Sequence, residues 1–331
     1  MSEAQLAKIA SPARNFATVS RASGLALVKR YGLVIVLALL VGVSQYLYPR
    51  FLDPQNLKNI LSQNAPVGII AVGMTLVMIT GGFDLSVGSV YAAGATVYAS
   101  LAVAGWSLPA AACATVLVGV LAGFVNGFVI TRLKVNPFVA TLGTMTAYSG
   151  LALIYSNSSP FVVADPGFTQ FGRASGLGLP VSVWALFAFF AAGQFVLSKT
   201  VYGRTLFAIG GNNEASRLAG LPTEWLRTST YVVSGACSAI AGMIIASRLA
   251  IGQADIGATM ALDAIAIVVI GGTSLLGGEG AIWKTAIGML IVAVLTNLLD
   301  SLAVDTNYQL VIKGVIVIAA VALDARVRAG R

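Results

Sequence analysis

The residues best suited to a chemical role lie between Ile79 and Ser89 (ITGGFDLSVGS), where an apolar run is interrupted and then resumes. Asp84 is the ionisable residue of this stretch, and a charged side chain in hydrocarbon costs about 2.5 to 3.5 kcal/mol on insertion scales. It must therefore face protein, water or the end of a helix. Because non-helical backbone at membrane depth is tolerated only inside protein or along a cavity, the stretch predicts an unwound or re-entrant segment in a membrane bundle.

Two roles are open for Asp84. It can relay a proton, as ionisable groups inside the spans of ion-coupled carriers do. Alternatively it can cap the following helix, with its carboxylate accepting hydrogen bonds from the N–H groups of Ser86 and Val87. The flanking glycines and serines favour the cap. Two other ionisable residues within apolar runs, Asp263 and Lys313, either form a charge pair or each face a cavity.

A solute that passes between helices needs a few hydrogen-bonding side chains and breaks in the helices. The same polar residues can also join helices to one another, so each is only a candidate. The candidates for a pathway are Gly81, Gly82, Phe83, Asp84, Ser86, Asn126, Asp255, Asn297 and Gln309, with Asn64, Thr75, Thr141 and Thr144 as further polar positions.

The composition indicates a membrane protein that crosses the bilayer many times. Of the 331 residues 57% are hydrophobic and only 10% are charged, whereas soluble domains are about 25% charged. The formal charge of +8 is explained by loops rich in Lys and Arg, so no nucleic-acid partner is expected. Cys113 and Cys237 lie in apolar runs, where a free cysteine behaves as a small hydrophobe.

Enzymatic chemistry is not predicted. The chain has no histidine, no paired acids suited to hydrolysis and no phosphate-binding loop. The nearest approach to such a loop, GGTSLLGGEGAIWK ending at Lys284, has neither the required order of residues nor a preceding soluble strand. We therefore expect no catalytic, metal or cofactor-binding residues, and any ATP that powers the protein must be bound by a partner.

An all-α polytopic fold with about ten transmembrane helices is predicted from apolar runs of about 17 to 25 residues. The expected spans are 31–49, 57–80, 86–105, 109–131, 137–156, 181–198, 228–248, 260–276, 281–299 and 308–324. Most Lys and Arg residues fall on one side if both termini are cytoplasmic, as the positive-inside rule requires. The expected organisation is a cytoplasmic tail over 1–30, a transmembrane domain over 31–325 and a second cytoplasmic tail over 326–331.

Two connecting loops are long enough to carry a function. The external loop 157–180 (including SNSSPFVVADPG) predicts an ordered cap or a docking face for a soluble partner. The cytoplasmic loop 199–227 contains a short helix, about Glu214–Ala219, which Asn212 or Asn213 can cap and which Gly220 and Pro222 stop. Residues expected to dock a partner on this helix are Asn213, Glu214, Ala215, Arg217, Leu218 and Gly220.

An internal repeat is predicted at an offset of 171 residues, which places Gly81 on Gly252 and Asp84 on Asp255. The same offset places Asn126 on Asn297. The two copies begin on opposite sides of the membrane in this topology, and inverted repeats are typical of transporters, whose symmetric helix breaks indicate the pathway. A competing offset of 190 aligns Gly81 and Gly82 with the glycine pair at 271–272 but needs a gap. Under either alignment the unusual segments are GGFDLSVG, RLAIGQADIGAT (248–259) and GGTSLLGGEG.

These motifs resemble a known family. GGFDLSVGS, the loop sequence GRTLFAIGGNNEASRLAGL, LDAIAIVVIGGTSLLGGEGAIWKTAIG and NYQLVIKGVIVIAAV are similar to the membrane subunit of ribose-type ATP-binding cassette sugar importers. The resemblance runs in order from about residue 31 to 325. The chain departs from the family at Phe83, where a β-branched aliphatic residue is more common.

The resemblance implies a permease that forms a homodimer, binds two cytoplasmic ATPase subunits and receives a monosaccharide from a periplasmic binding protein. It also implies that the segment from Gly203 to Leu221 carries the helix that couples to the ATPase. Membrane lipid surrounds such a protein. An ion-coupled secondary sugar transporter is the alternative, and a passive channel is a third possibility.

Overall fold

The structure is a computed structural model that describes the backbone of residues 16–329 and, within that range, the side chains of 31–170, 172–319, 321 and 322. In chain order the helices are α1 (Phe16–Leu47), α2 (Pro54–Ile79), α3 (Val87–Val103), α4 (Leu108–Thr131), α5 (Pro137–Ser156), α6 (Gln170–Arg173), α7 (Val181–Lys199), α8 (Val201–Gly211), α9 (Asn213–Leu218), α10 (Thr223–Leu249), α11 (Met260–Ile270), α12 (Ile282–Ser301) and α13 (Thr306–Ala329). The strands are β1 (Phe161–Val162), β2 (Ser175–Gly176), β3 (Leu179–Pro180) and β4 (Ile251–Gly252).

Six of these helices are long and apolar enough to cross a membrane: α2, α4, α5, α7, α10 and α12. The remaining predicted spans correspond to shorter apolar stretches, Tyr31–Leu47, Val87–Val103, Met260–Ile270 and Thr306–Ala319. The chain is therefore mostly helical and polytopic, as predicted.

The centre of the bundle is α10, which packs against α2, α3 and α4. Small residues bring these backbones together, because a Cβ on Gly119 would meet the carbonyl oxygen of Gly235 and a Cβ on Gly242 would meet that of Tyr91. Helices in a membrane associate through such close backbone contacts. On its other side α2 packs against α11 and α12, with Ile70, Met74, Ile267 and others in a shared apolar core.

Helix breaks occur where glycine adopts a left-handed conformation. Gly81 has a φ of +75° just after the end of α2, and Gly272 has a φ of +77° just after the end of α11. Residues with a Cβ rarely adopt this conformation. The predicted span 260–276 was wrong in its length, because the helix stops at Ile270 and the chain continues as an irregular loop to residue 281.

The segment 157–180 folds onto one end of the bundle. β1 pairs with β4 in antiparallel register, so that Phe161 faces Gly252, and β2 pairs with β3. Phe168 is fully buried, and its ring stacks on Tyr98 with 4.8 Å between centroids. These contacts give the predicted loop a fixed structure, and they join it to the irregular segment 250–259 that follows α10.

Apart from the short α11 and the early start of α1, the helices agree with the predicted spans except near the predicted loops. α10 begins at Thr223, earlier than the predicted 228, and α8 was not predicted. Thr200 caps α8 by accepting a hydrogen bond of 3.1 Å from the Gly203 N–H, while Leu206 and Ile209 bury one face of the helix. α1 begins at Phe16, inside the predicted tail 1–30, of which residues 1–15 lie outside the described residues, as do 330 and 331.

Candidate functional site

Asp84 lies in the break between α2 and α3, with only 1% of its surface exposed. Its Oδ1 accepts hydrogen bonds from the Ser86 hydroxyl at 2.6 Å and from the Ser86 N–H at 3.1 Å. Its Oδ2 accepts a bond of 2.7 Å from the Ser234 hydroxyl on α10. Val87 N–H, the second donor predicted for a cap, is not among these partners. The carboxylate therefore closes the turn that precedes α3, whose N-cap residue is Ser86, and also ties the break to α10.

Asn126 of α4 completes this cluster. Its Nδ2 donates to the Ser86 hydroxyl at 2.7 Å and lies 3.5 Å from Asp84 Oδ1, while its own Oδ1 is buried without a partner among the described residues. Asn126, Ser86 and Asp84, which the sequence marked separately as pathway candidates, are thus in direct contact in the structure. Four buried side chains from three elements hold the break in place.

Gly81, Gly82 and Phe83 form the turn itself. Tyr231 of α10 donates a hydrogen bond of 3.3 Å to the carbonyl oxygen of Phe83. A Cβ on Gly82 would collide with the hydroxyl of Tyr231 and would lie 3.0 Å from Cγ1 of Val77. Glycine at position 82 is thus required by the close approach of α10 to the break.

The three segments that the sequence marks as unusual converge on this break. The loop 271–281 reaches the end of α2, where the Gly278 N–H donates to the Ile79 carbonyl at 2.9 Å. The segment 250–259 reaches the start of α3, where a Cβ on either Gly88 or Gly257 would collide with the carbonyl oxygen of the other. The first turn of α3 therefore lies directly against the backbone before α11.

A cavity of about 340 Å³ lies where α3, α5 and the segment 250–259 meet. Its lining includes Gly88 and Ser89 from α3, Met145 and Ser149 from α5, and the exposed Asp255. The space suits a small solute, and a few polar groups on an otherwise apolar wall can orient one. Among the predicted pathway residues Asp255 lines this cavity, whereas Asp84 is buried and does not line it.

The remaining predicted pathway residues make contacts within the bundle. Asn297 and Asn56 exchange two hydrogen bonds, of 3.0 and 3.1 Å, between α12 and α2. Gln309 donates to Asp300 Oδ1 and to the Val304 carbonyl, both at 2.9 Å. The further polar positions bond mainly to carbonyl oxygens of their own helices, which is so for Asn64, Thr75, Thr141 and Thr144.

Asp263 and Lys313 form an ion pair between α11 and α13. Lys313 Nζ lies 3.3 Å from Asp263 Oδ1, and their side chains are 26% and 16% exposed, respectively. Of the two arrangements that the sequence left open, the structure has the charge pair. Each charge neutralises the other in surroundings where an isolated, largely buried charge would be costly.

Asp263→Asn alone is expected to destabilise the protein more than Asp263→Asn combined with Lys313→Met, because the single change leaves a half-buried ammonium without its partner. The loss should fall below the roughly 3 to 5 kcal/mol measured for fully buried pairs. The midpoint of thermal unfolding in detergent measures it. Neutralising the exposed Glu214 and Arg217 pair serves as the control and should have little effect. A double variant no more stable than the single one would contradict the prediction.

The predicted docking segment is a short helix, α9, with a defined residue ending it on each side. The Asn212 side chain caps α9 by accepting a hydrogen bond of 2.9 Å from the Ala215 N–H, and Gly220 with a φ of +83° ends the turn after it. Arg217 donates two hydrogen bonds to Glu214, of 2.6 and 3.2 Å, and these hold the pKa of the Glu214 carboxyl below its ordinary value. Leu218 is 76% exposed, so α9 presents an apolar side chain beside a charge pair.

Sequence reasoning missed Ser234 and Tyr231, which hold the break from α10, and Ser149 and Met145, which line the cavity from α5. One signal was present for α10. Thr230, Ser234 and Ser238 are four residues apart in an otherwise apolar span, and all three are fully buried. Such a hydroxyl stripe on one helix face indicates a buried polar contact.

The chain matches the family described as branched-chain amino acid transport system / permease component, over residues 56–321. It is 41% identical over 300 residues to the ribose import permease protein RbsC of Bacillus subtilis (strain 168), which covers 90% of this chain and 93% of that protein. It is 39% identical over 298 residues to RbsC of Escherichia coli (strain K12), covering 88% of this chain and 92% of that protein.

A third relative is the L-arabinose transport system permease protein AraH of Escherichia coli (strain K12), 38% identical over 306 residues, which cover 89% of this chain and 90% of that protein. No solved structure matches the chain significantly. The similarity therefore extends over nearly the whole sequence, including the Asp84 break, the cavity and α9.

Proposed function

The chain belongs to the permease-component family of the branched-chain amino acid transport systems, and on this premise we propose that it is the membrane subunit of an ATP-binding cassette importer that carries a sugar or polyol. The single observation that carries the substrate class is the identity of 38–41% to ribose and arabinose permeases over about nine tenths of the chain. A branched-chain amino acid, which the family description names, is the second candidate. Comparing the uptake of ribose, arabinose and leucine separates the two.

The energy for transport comes, in this proposal, from ATP hydrolysed by a cytoplasmic ATPase subunit that docks on α9. The chain itself is then no enzyme and holds no cofactor. The exposed Leu218 and the exposed Glu214 and Arg217 pair support α9 as the contact, because these side chains of a short, capped helix are free to enter a groove of a partner. If the ATPase contacts α9 differently in two conformations of the permease, that difference drives the switch of the pathway from one side of the membrane to the other.

Leu218→Asp is expected to abolish co-purification of the ATPase subunit, because a charge replaces the apolar side chain at the centre of the proposed contact. Glu214→Ala combined with Arg217→Ala should weaken the same interaction. Both changes are at exposed positions, so the thermal unfolding midpoint of the permease should not move. Arg204→Ala, on the neighbouring α8, is the matched control and should retain the ATPase.

The measurement is mass spectrometry of complexes purified from the native membrane under gentle conditions. A complex of two permeases with two ATPases is expected for the wild type. If no ATPase co-purifies with the wild-type permease, the importer proposal is overturned. Uptake driven by a proton or sodium gradient would then favour the ion-coupled alternative. Uptake that needs neither ATP nor a gradient would indicate a channel.

In the proposed topology ten helices cross the bacterial inner membrane and both termini are cytoplasmic. This places the tails 1–30 and 326–331 and the coupling loop 199–227 inside, and the segment 157–180 outside, with the permease domain over 31–325. The distribution of Lys and Arg supports it. The four shorter apolar helical stretches, added to the six long helices, account for the ten.

An inverted repeat is part of the same proposal. When α2, α3, α4 and α5 are moved along the chain by 171 residues, each begins within three residues of the start of α10, α11, α12 and α13 respectively. The packing supports the repeat, because α10 contacts α2, α3 and α4, and α2 contacts α10, α11 and α12. The substrate would then pass where the two broken segments meet, beside the cavity that Asp255 lines.

A homodimer and a periplasmic sugar-binding protein complete the proposed assembly. α5 buries little of its surface within the chain, and a Cβ on Gly143 or Gly150 would meet nothing within 4 Å. Such open glycines allow close approach by another helix, and a second copy would supply it, with lipid covering the rest. For the binding protein, the β2–β3 hairpin offers Leu177, which is 93% exposed.

A further inference from the structure

A second, polar cavity of about 570 Å³ opens at the end of the bundle that carries α9. It lies between the connector that joins α4 to α5, the first turn of α5, α9 and the first turn of α10. The charged and amide side chains among its lining residues are Lys134, Asn136, Asn213, Glu214, Arg217, Glu224 and Arg227. The proposed docking of the ATPase concerns α9, on one side of this cavity, and the proposal gives the remaining lining residues no role.

The charges around this cavity are not balanced. Glu214 is engaged by Arg217 at 2.6 Å, and Glu224 is engaged by Arg132 at 2.8 Å. Lys134 and Arg227 are left without an acidic partner among the described residues. Two unpaired cations therefore face a space whose carboxylates are already neutralised, and the lining carries a net positive charge.

Arg227 carries the clearest sign of an unmet interaction. Its Nε is enclosed and has no hydrogen-bond partner among the described residues. A buried donor of a charged group that stays unpaired is rare in proteins and calls for a partner. Arg227 lines the cavity, and a guanidinium has the fork geometry that binds two oxygens of an oxyanion.

The first turn of α5 adds to the positive potential. Asn136 and Pro137 line the cavity, and the Asn136 side chain caps the helix by accepting a hydrogen bond of 2.9 Å from the Phe138 N–H. The N-terminal end of a 20-residue helix favours an anion in front of it. Lys134, which is exposed at the rim, can reach the same anion from the connector.

We propose that this cavity is an anion-binding site that takes a phosphate group, held by Arg227 and Lys134 at the start of α5. A tetrahedral oxyanion can be bound at once by the guanidinium of Arg227, the ammonium of Lys134 and the N-terminal end of α5, because all three border one cavity. The phosphate belongs either to a soluble compound or to the headgroup of a phospholipid. Because Arg217 lines the same cavity, the anion would compete with Glu214 for it, and so alter the charged face of α9.

Equilibrium binding of radiolabelled orthophosphate to the full-length protein in detergent tests the site directly. Saturable binding at millimolar phosphate or below is expected. Lys134→Gln and Arg227→Gln should each weaken it about tenfold or more, as expected for the loss of a charged partner. Arg204→Gln, which removes an exposed arginine outside this cavity, should bind as the wild type does.

Two further measurements keep the test decisive. Arg227→Lys keeps the positive charge but removes the two-pronged guanidinium, so this variant should bind phosphate with intermediate strength. Lys134 is exposed, so its replacement cannot disturb packing. Displacement of the label by dioctanoyl phosphatidylglycerol but not by glycerol 3-phosphate would identify a lipid headgroup, and equal displacement would identify a soluble phosphate. Absence of saturable binding, or unchanged binding in both glutamine variants, would overturn the proposal, whether or not the protein is an importer.

Discussion

Replacing Asp84 with alanine is expected to lower the stability of the folded protein by about 3 kcal/mol, the size of the hydrogen bonds to a buried charged group that it removes. The change leaves the hydroxyls of Ser86 and Ser234 and the amide of Asn126 without their common acceptor. The break between α2 and α3 then loses its attachment to α10. Transport should fall below a tenth of the wild-type rate, because the cavity wall begins at this break.

The measurement pairs thermal unfolding in detergent with uptake by membranes that hold the whole importer. Asp84→Asn keeps the shape of the side chain and one acceptor oxygen, and the serine hydroxyls can reorient toward its amide. The free energy of unfolding of this variant should therefore fall by only about 1 kcal/mol. The control for stability is Asp255→Ala, since Asp255 occupies the matching position of the proposed repeat but is exposed. Equal unfolding midpoints for the Asp84 and Asp255 alanine variants would refute the structural role of Asp84.

Adding a single methyl group at Gly88 or Gly257 is expected to have the second large effect. The added Cβ would collide with the carbonyl oxygen of the other glycine, and backbone cannot move aside as a side chain can. Overpacking in a filled core costs about 1 to 3 kcal/mol. The displaced backbone also borders the cavity, so we expect either alanine variant to lose most of its uptake activity.

The same glycine-to-alanine change should have the opposite effect on stability where space is available. Gly42→Ala is the matched control, because Gly42 lies in α1 with nothing within 4 Å of an added Cβ. Alanine there should be neutral or should stabilise by about 0.5 to 1 kcal/mol through its higher helix propensity. Comparing the unfolding midpoints and uptake of the three variants tests the idea. A Gly88→Ala variant that behaves like Gly42→Ala would show that α3 and the segment before α11 do not touch.

Much of this arrangement can be predicted from the sequence because it is encoded locally. Long apolar runs separate the helices, Gly81 and Asp84 mark the break, and Asn212 with Gly220 encloses α9. Each signal acts over a few residues, through hydropathy, left-handed glycine or a side-chain cap. The fold class and the short helix follow from these signals.

What could not be predicted depends on contacts between distant residues. Ser234 reaches Asp84 across 150 positions, and nothing near either residue indicates the other. Asn297 shares its pattern with Asn126 under the offset of 171, yet it pairs with Asn56 on α2 and not with an acid. α8 was missed because its helix depends on the burial of Leu206 and Ile209 against the bundle. Tertiary packing decides these cases.

The close contacts along α10 also determine which parts of the protein can move. Where α10 closely approaches α2 at Gly73, α4 at Gly119 and α3 at Gly242, helices cannot slide without separating, so α2, α3, α4 and α10 must travel as one rigid block. Any alternation of access is then left to the helices outside this block, among them α5 and α13. Amide hydrogens of α10 should consequently exchange with solvent most slowly, and a cross-link within the block should leave the transport cycle intact, whereas one from the block to α5 should arrest it.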